Sequence, residues 1–233
     1  MTENYPPLMI PPKSGLVHPL TRPFNMRDSC ILNLQPEHNT KWVDYSLAGN
    51  DGTINGATSK DFGNRSKSYY FDGSDDYIDL GEAAELDVAF PISIELGINS
   101  SNRLQDFKRV IAAPDSFTYD FHVSSHSSGT YLFGYGNNDD ATAKRTAVAV
   151  LTNTWQHWVF VIETTAANNT YYLNGVEGTI GNLGGISKAG TDVYIGAKQG
   201  PASFFLGYID IVRIYNRKIQ PWEAKALYDE WKI

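Results

Sequence analysis

Carboxylates and histidines are the side chains from which this chain could build a catalytic or ligand-binding centre. Asp210 stands between Ile209 and Ile211 in an apolar run, where a charge must be hydrogen-bonded, paired with a base such as Arg213, or bound to a cation. Glu85 and Asp87 are two residues apart, so on a strand both would face one cleft. A pair of carboxyl groups about 5 Å apart is what a retaining glycoside hydrolase uses. The residues that follow, Ala89, Phe90 and Pro91, add no further carboxylate, and the segment reads as a solvated loop. His122 and His126 share H-x-x-x-H spacing, yet their flanks read as strand and loop. Four strand residues span about 13 Å, too far for one zinc ion. His157 reads as a structural histidine, Cys30 has no local base that would mark a nucleophile, and residues 181–185 lack the lysine and helix of a phosphate loop. The chain is therefore read as not an enzyme.

The elements that must position these groups are strands. Residues 204–219, FFLGYIDIVRIYNRKI, alternate more regularly than any other stretch. Phe205, Gly207, Ile209 and Ile211 are expected on one face, with Leu206, Tyr208, Asp210 and Val212 on the other. With both faces largely covered, this is the central strand of a two-layer sandwich. Further strands are expected at Cys30 and its neighbours, at 53–57, 69–71 and 77–80, across the alternating run 92–98, and at 109–113. In the middle, Tyr119, Phe121 and Val123, then Tyr131, Phe133 and Tyr135, then Ala147, Ala149 and Leu151 form three alternating runs. A hairpin follows over 155–173, and Asn174-Gly175 is a type I′ turn signal. Pro221 opens a short terminal helix whose apolar stripe is Trp222, Ala226, Leu227 and Trp231.

The chain has 233 residues, 42% of them hydrophobic, enough for one sandwich domain with an ample core. A net charge of -7 argues against nucleic-acid binding, which needs a basic stripe. The single cysteine, Cys30, cannot form an internal disulfide. The N-terminus shows no signal peptide, and no segment is apolar for long enough to insert in a membrane. Residues 1–28 carry prolines at 6, 7, 11, 12, 19 and 23, which favour an extended course. They read as an arm ahead of the body, 29–233. Tyr5, Leu8, Met9, Ile10, Leu16, Val17 and Leu20 offer an unpatterned apolar surface on it, suited to docking on other protein subunits.

Four stretches occur in an order that resembles a known family. They are DYSLAGNDGTINGA (44–57), YYFDGSDDYIDLG (69–81), WQHWVFVIETTAANNTYYLNGV (155–176), and GYIDIVRIYNRKI followed by PWEAKALY (207–228). Together they are similar to the LamG-like jelly-roll modules of the concanavalin A-like lectin/glucanase group. The resemblance implies an all-β, two-sheet antiparallel jelly-roll sandwich with a short C-terminal helix. It also implies a structural Ca²⁺ between the N-terminal loop and the final strand, at the matching positions Asp44, Asn50, Gly52 and Asp210. Oxygen ligands of this kind suit that ion. In the family's strand a second carboxylate often follows the aspartate; here Ile211 stands in its place. Laminarinase-type hydrolases of the same fold carry E-x-D-x-x-E, of which Glu85 and Asp87 would be two members and the third is missing.

Glycan binding asks for exposed aromatic faces beside amides and carboxylates. The loops 119–126, 131–140 and 198–204 offer that mixture, with Asp120, His122, Tyr135, Asn137 and Asp139 as candidate residues. If Phe121 and Phe133 point inward, Asp120, His122 and Ser124 face the opposite side. The expected role is a structural or decoration protein of a larger assembly, a phage-type virion, held by its arm and exposing a lectin-like surface. The alternative is a free carbohydrate-binding module or adhesin acting on cell-surface glycans, extracellular or at a cell surface.

Overall fold

The computed structural model describes residues 28–36, 41–61, 67–86, 89–101, 108–113, 122–125, 131–134, 144–146, 148–163, 168–181, 192–198 and 200–232. Its strands begin with β1 (Cys30–Gln35), β2 (Lys41–Asp44), β3 (Gly52–Asn55), β4 (Thr58–Lys60), β5 (Ser68–Asp72) and β6 (Tyr77–Glu82). Next come β7 (Ile92–Ser100), β8 (Arg109–Ala112), β9 (His122–Ser125), β10 (Tyr131–Gly134) and β11 (Lys144–Arg145). The last are β12 (Trp155–Ile162), β13 (Asn168–Leu173), β14 (Val176–Gly181), β15 (Asp192–Ile195) and β16 (Leu206–Tyr215), followed by helix α1 (Pro221–Trp231). The docking residues expected on the arm, Tyr5 to Leu20, lie outside the described residues.

Every strand pair is antiparallel, and the strands form two layers. In one, β16 is central: β7 pairs along it, while β5 pairs with its first half and β1 with its second. The layer continues from β7 through β12 and β13 to β14. The other runs β2-β3-β6-β15-β8-β9-β10-β11, and β1 pairing with β2 joins the two. Between them lies one cluster of buried side chains, including Leu34, Ile94, Leu96, Trp158 and Phe160 from the first layer and Trp42, Ile78, Ile111, Val123 and Ile195 from the second. Each such side chain contributes about 1.5–3 kcal/mol on burial. The Asn174-Gly175 turn forms as expected, with φ of 51° and 77° between β13 and β14.

The alternation expected for β16 is broken in its middle. Ile209 pairs with Ile98 and Val212 with Leu96, so three steps on β16 match two on β7. A bulge at Asp210 and Ile211 takes up the extra residue. Past it the phase reverses: Val212 and Ile214 enter the core with Ile209, while Ile211 stays outside the core cluster. The sequence reading had Ile211 on one face with Ile209, and Val212 on the other with Asp210. Two further expectations are corrected. Leu151 is half exposed and 148–151 is not a strand. On α1 the buried residues are Glu223, Ala224 and Leu227, whereas Trp222 is 57% exposed.

Helix α1 packs on the outer face of the first layer, over Cys30, Val159, Val161, Tyr172 and Tyr215. Beneath it β7 alternates between core residues (Ile92, Ile94, Leu96, Ile98) and outer ones (Ser93, Glu95, Gly97, Asn99). Glu95 is fully buried. Its carboxylate accepts the Tyr215 hydroxyl at 2.8 Å and Arg213 Nη1 at 3.1 and 3.2 Å, and lies 3.0 Å from His157 Nε2. Arg213 also donates to Asn33 Oδ1. A Cβ on Gly97 would come within 2.6 Å of Trp231 Nε1, so only glycine lets that ring lie against the strand. Arg217 clamps the start of the helix with two 2.7 Å bonds to Glu223. Burial opposes the charge on Glu223, but Arg217 and the Gln220 N–H outweigh it and hold the carboxyl below its usual range.

Truncating Glu95→Ala removes the buried carboxylate shared by the Arg213 guanidinium and the Tyr215 hydroxyl, leaving Arg213 with Asn33 and the more exposed Glu230. It is expected to cost about 3–5 kcal/mol, a Tm loss on the order of 10 °C. Lys218→Ala, which breaks the partly exposed pair with Glu163, should cost under about 1 kcal/mol. Thermal unfolding of the two variants side by side checks the contrast.

Candidate functional site

Where α1 ends, the outer face of the first layer becomes a row of aromatic side chains. Tyr70 pairs with Tyr208, Tyr208 with Asn99, and Asn99 with Trp155, so these residues stand side by side on β5, β16, β7 and β12. Their sequence neighbours Tyr69, Phe71, Ile98 and Ile209 belong to the core, which directs the row outward. Ring centroids are 4.9 Å apart for Tyr70 and Tyr208 and 6.4 Å for Tyr208 and Trp155. Trp231, at the end of α1, stands 6.3 Å from Trp155. All four rings are partly exposed. Asn99, between them, is 8% exposed, and its Oδ1 has no hydrogen-bond partner.

Asp210 lies beside this row. The bulge turns it to the outer face, where its Oδ2 accepts the Trp231 indole N–H at 2.9 Å. Arg213, the alternative partner considered from sequence, is held by Glu95 instead. Asp44 is engaged elsewhere: Oδ1 accepts the N–H groups of Asn33 and Ser46, and Oδ2 accepts the Asn50 N–H and the Ser46 hydroxyl. Asn50 and Gly52 share the Asp44 loop, while Asp210 is hydrogen-bonded to Trp231 on the outer face. With its carboxylate consumed by four donors, Asp44 does not fit as the hub of a calcium site shared with the final strand. The carboxylates that do converge among the described residues are Asp72, Asp75 and Asp76, with ligand oxygens within 4.8 Å of one another. They already serve the turn: Asp72 accepts the Ser74 N–H at 2.7 Å, and Asp76 accepts the Asp72 N–H at 2.9 Å. A Cβ on Gly56 would strike Asp76 Oδ1 at 2.0 Å. Burial, helped by repulsion from Asp72 and Asp75, raises the Asp76 pKa against the pull of that N–H.

Of the glycan candidates, His122 is described; Asp120, Tyr135, Asn137 and Asp139 lie outside the described residues. Val123 is in the core, so His122 and Ser124 face outward on the second layer. Both are buried, and His122 Nε2 and Ser124 Oγ are without partners. Burial, with Arg109 nearby, holds the His122 pKa well below its ordinary value and keeps the ring neutral. On the same face, Tyr194 and Tyr77 form a tilted pair 6.1 Å apart. Burial, then the charges of Asp79 and Asp192, push the Tyr194 phenol pKa up. Glu85 sits exposed on a short 3-10 turn, Ala84–Leu86, rather than on a cleft strand, and Asp87 lies outside the described residues. Cys30 is buried, with its thiol donating to the Leu32 carbonyl.

The sequence reading missed the row. Tyr208 was placed on the face opposite Ile209 but not joined to Tyr70, Asn99 and Trp155 across the strands. The available signal was that each of these residues flanks a core position on its own strand. What aligns them is the register of four strands.

The profile of the concanavalin A-like lectin/glucanases superfamily matches residues 72–225. No curated protein sequence matches the chain. Among solved structures, one similar fold is domain 4 of AbnA, a GH43 extracellular arabinanase from Geobacillus stearothermophilus, in complex with arabinotriose. It is 18% identical, with TM-score 0.65, over 86% of this chain and 98% of that one. Another is the binding domain of Paraclostridial Mosquitocidal Protein 1, 17% identical with TM-score 0.69, over 88% of this chain and 53% of that one. The botulinum neurotoxin serotype G binding domain is 16% identical with TM-score 0.65, over 86% and 51%. The chain thus spans about half of each toxin domain, and at these identities the likeness is one of fold. With the profile covering most of its length, the chain belongs to the concanavalin A-like lectin/glucanases superfamily.

Proposed function

We propose that the protein is a non-catalytic glycan-binding module whose binding surface is the row Tyr70, Tyr208, Asn99 and Trp155, closed at one side by Trp231. The observation that carries this reading is the buried, unpartnered Asn99 oxygen set among partly exposed rings. Aromatic faces cover the apolar faces of sugar rings, and a buried amide oxygen supplies the directional bond that fixes orientation. The arabinanase domain, whose complex holds arabinotriose, supports the reading by analogy of fold. Replacing Trp155 or Tyr208 by Ala should weaken glycan binding about tenfold or more each, since interface aromatics carry a large share of binding energy. A glycan array followed by calorimetric titration of the best hit measures this. Unchanged affinity in both variants, with unfolding midpoints near wild type, refutes the assignment.

A second reading concerns how the module is held. Residues 1–28 carry Lys13, Arg22 and Arg27 against Glu3 and Asp28, while the whole chain has a net charge of -7. Leu47 is 95% exposed and lines, with Asp28, Ile31 and Glu85, a shallow hollow where the arm meets the body. An apolar arm with one excess positive charge and an acidic body carrying an exposed leucine suit a subunit that docks on its neighbours, as a decoration protein at a virion surface would. Removing residues 1–28 should leave a folded sandwich by circular dichroism that no longer assembles by light scattering. A truncated chain with the same assembly state as full length rules this role out.

A further inference from the structure

We propose that the occupant of the row is an uncharged, twisted oligosaccharide lying across β5, β16, β7 and β12, stacked on Tyr70, Tyr208 and Trp155 and donating one hydroxyl to Asn99 Oδ1. This rests on the glycan reading above and specifies the class of sugar.

Three observations lead to it. The first is extent. Neighbouring strands are about 4.8 Å apart, but the rings lean together, with centroids 4.9 and 6.4 Å apart in turn, a platform still longer than one sugar ring. A monosaccharide would occupy part of the platform, and a chain of about three rings would fill it.

The second is ring orientation. The planes of Tyr70 and Tyr208 meet at 47°, and those of Trp155 and Tyr208 at 48°. A flat polysaccharide ribbon needs coplanar platforms to stack on several rings at once. Planes turned by about half a right angle from one residue to the next suit a chain whose successive rings are rotated about its axis.

The third is polarity. The Asn99 oxygen is an acceptor with no donor, and leaving such a group buried and unsatisfied is costly. A hydroxyl supplies the missing donor; a sugar carboxylate offers only further acceptors. Among the described residues, carboxylates outnumber cations around the row, where Lys60, on β4 opposite Ser68, is the cation on the Tyr70 edge. Asp72 is two residues from Tyr70 on the same face of β5, and Asp210 is two residues from Tyr208. Lys225 and Lys232, on or next to α1, are paired with Asp229.

The test is calorimetric titration of the full chain with neutral trisaccharides (laminaritriose, arabinotriose, xylotriose, maltotriose and cellotriose), the matching monosaccharides, and the acidic probes trigalacturonate and 3′-sialyllactose. At least one neutral trisaccharide is expected to bind ten times or more tighter than its monosaccharide and than either acidic probe. Asn99→Ala should lower that affinity about tenfold, with urea unfolding confirming the fold. Binding of an acidic probe, or of a monosaccharide, as tight as that of the best neutral trimer overturns this inference while leaving the glycan reading in place. An Asn99→Ala variant that folds and binds like wild type overturns this inference and removes Asn99 from the proposed binding surface, which then rests on the rings alone. Failure of every sugar to bind removes the glycan reading and this inference with it.

Discussion

A carboxylate sealed from water, Glu95, is the constraint around which the helix-covered face of the sandwich is built. Its position on β7 alternates with core residues, so its side chain must leave the sheet on the outer side, where water would normally solvate it. In this chain α1 covers that side. The charge is then tolerable only because Arg213, Tyr215 and His157 all converge on it. An uncompensated charge there would oppose docking of the helix. Helix, bulge and strand register are thus tied to one buried group, and cysteine cross-links play no part.

The same arrangement shapes the open part of that face. If β16 kept strict alternation, Asp210 and Ile211 would point to opposite sides. The bulge puts both outside, where Ile211 packs by Gly97 and Trp231 and Asp210 holds the Trp231 indole. Trp231 is therefore fixed at the boundary between the covered and the uncovered region. One side of it is a clamped helix, and the other is the row formed by Trp155, Asn99, Tyr208 and Tyr70. A rigid boundary matters for recognition because rings held in place lose little conformational freedom when a ligand stacks on them.

Much of the sandwich was legible because its signals are local. Period two in 92–98 and 204–215, the Asn174-Gly175 turn and the proline that opens α1 each depend on neighbours in sequence. The bulge was not legible, since an extra residue in one strand is visible only against its partner. The site failed for the same reason. Tyr70, Asn99, Trp155 and Tyr208 come from four distant segments, and each alone resembles a core residue at the edge of a strand. Asp44 shows the converse: the resemblance implied a metal ligand, yet the carboxylate accepts three hydrogen bonds from its own loop and one from Asn33 on β1. A sequence shows the acceptor but not how many backbone donors will reach it.

The length of β16 relates the two halves of the proposal. Tyr208, in the row, lies near one end of the strand. Tyr215, paired with Cys30 just after the arm, lies at the other. Seven residues of strand separate them, roughly 20 Å. A chain held at the Cys30 end therefore carries its aromatic row away from the attachment point, with the clamped helix between the two. The body's first strand residue, Cys30, and the row thus lie at opposite ends of β16. The buried Glu95 cluster takes in Arg213 and Tyr215 and so anchors the Cys30 end of that strand beneath the helix.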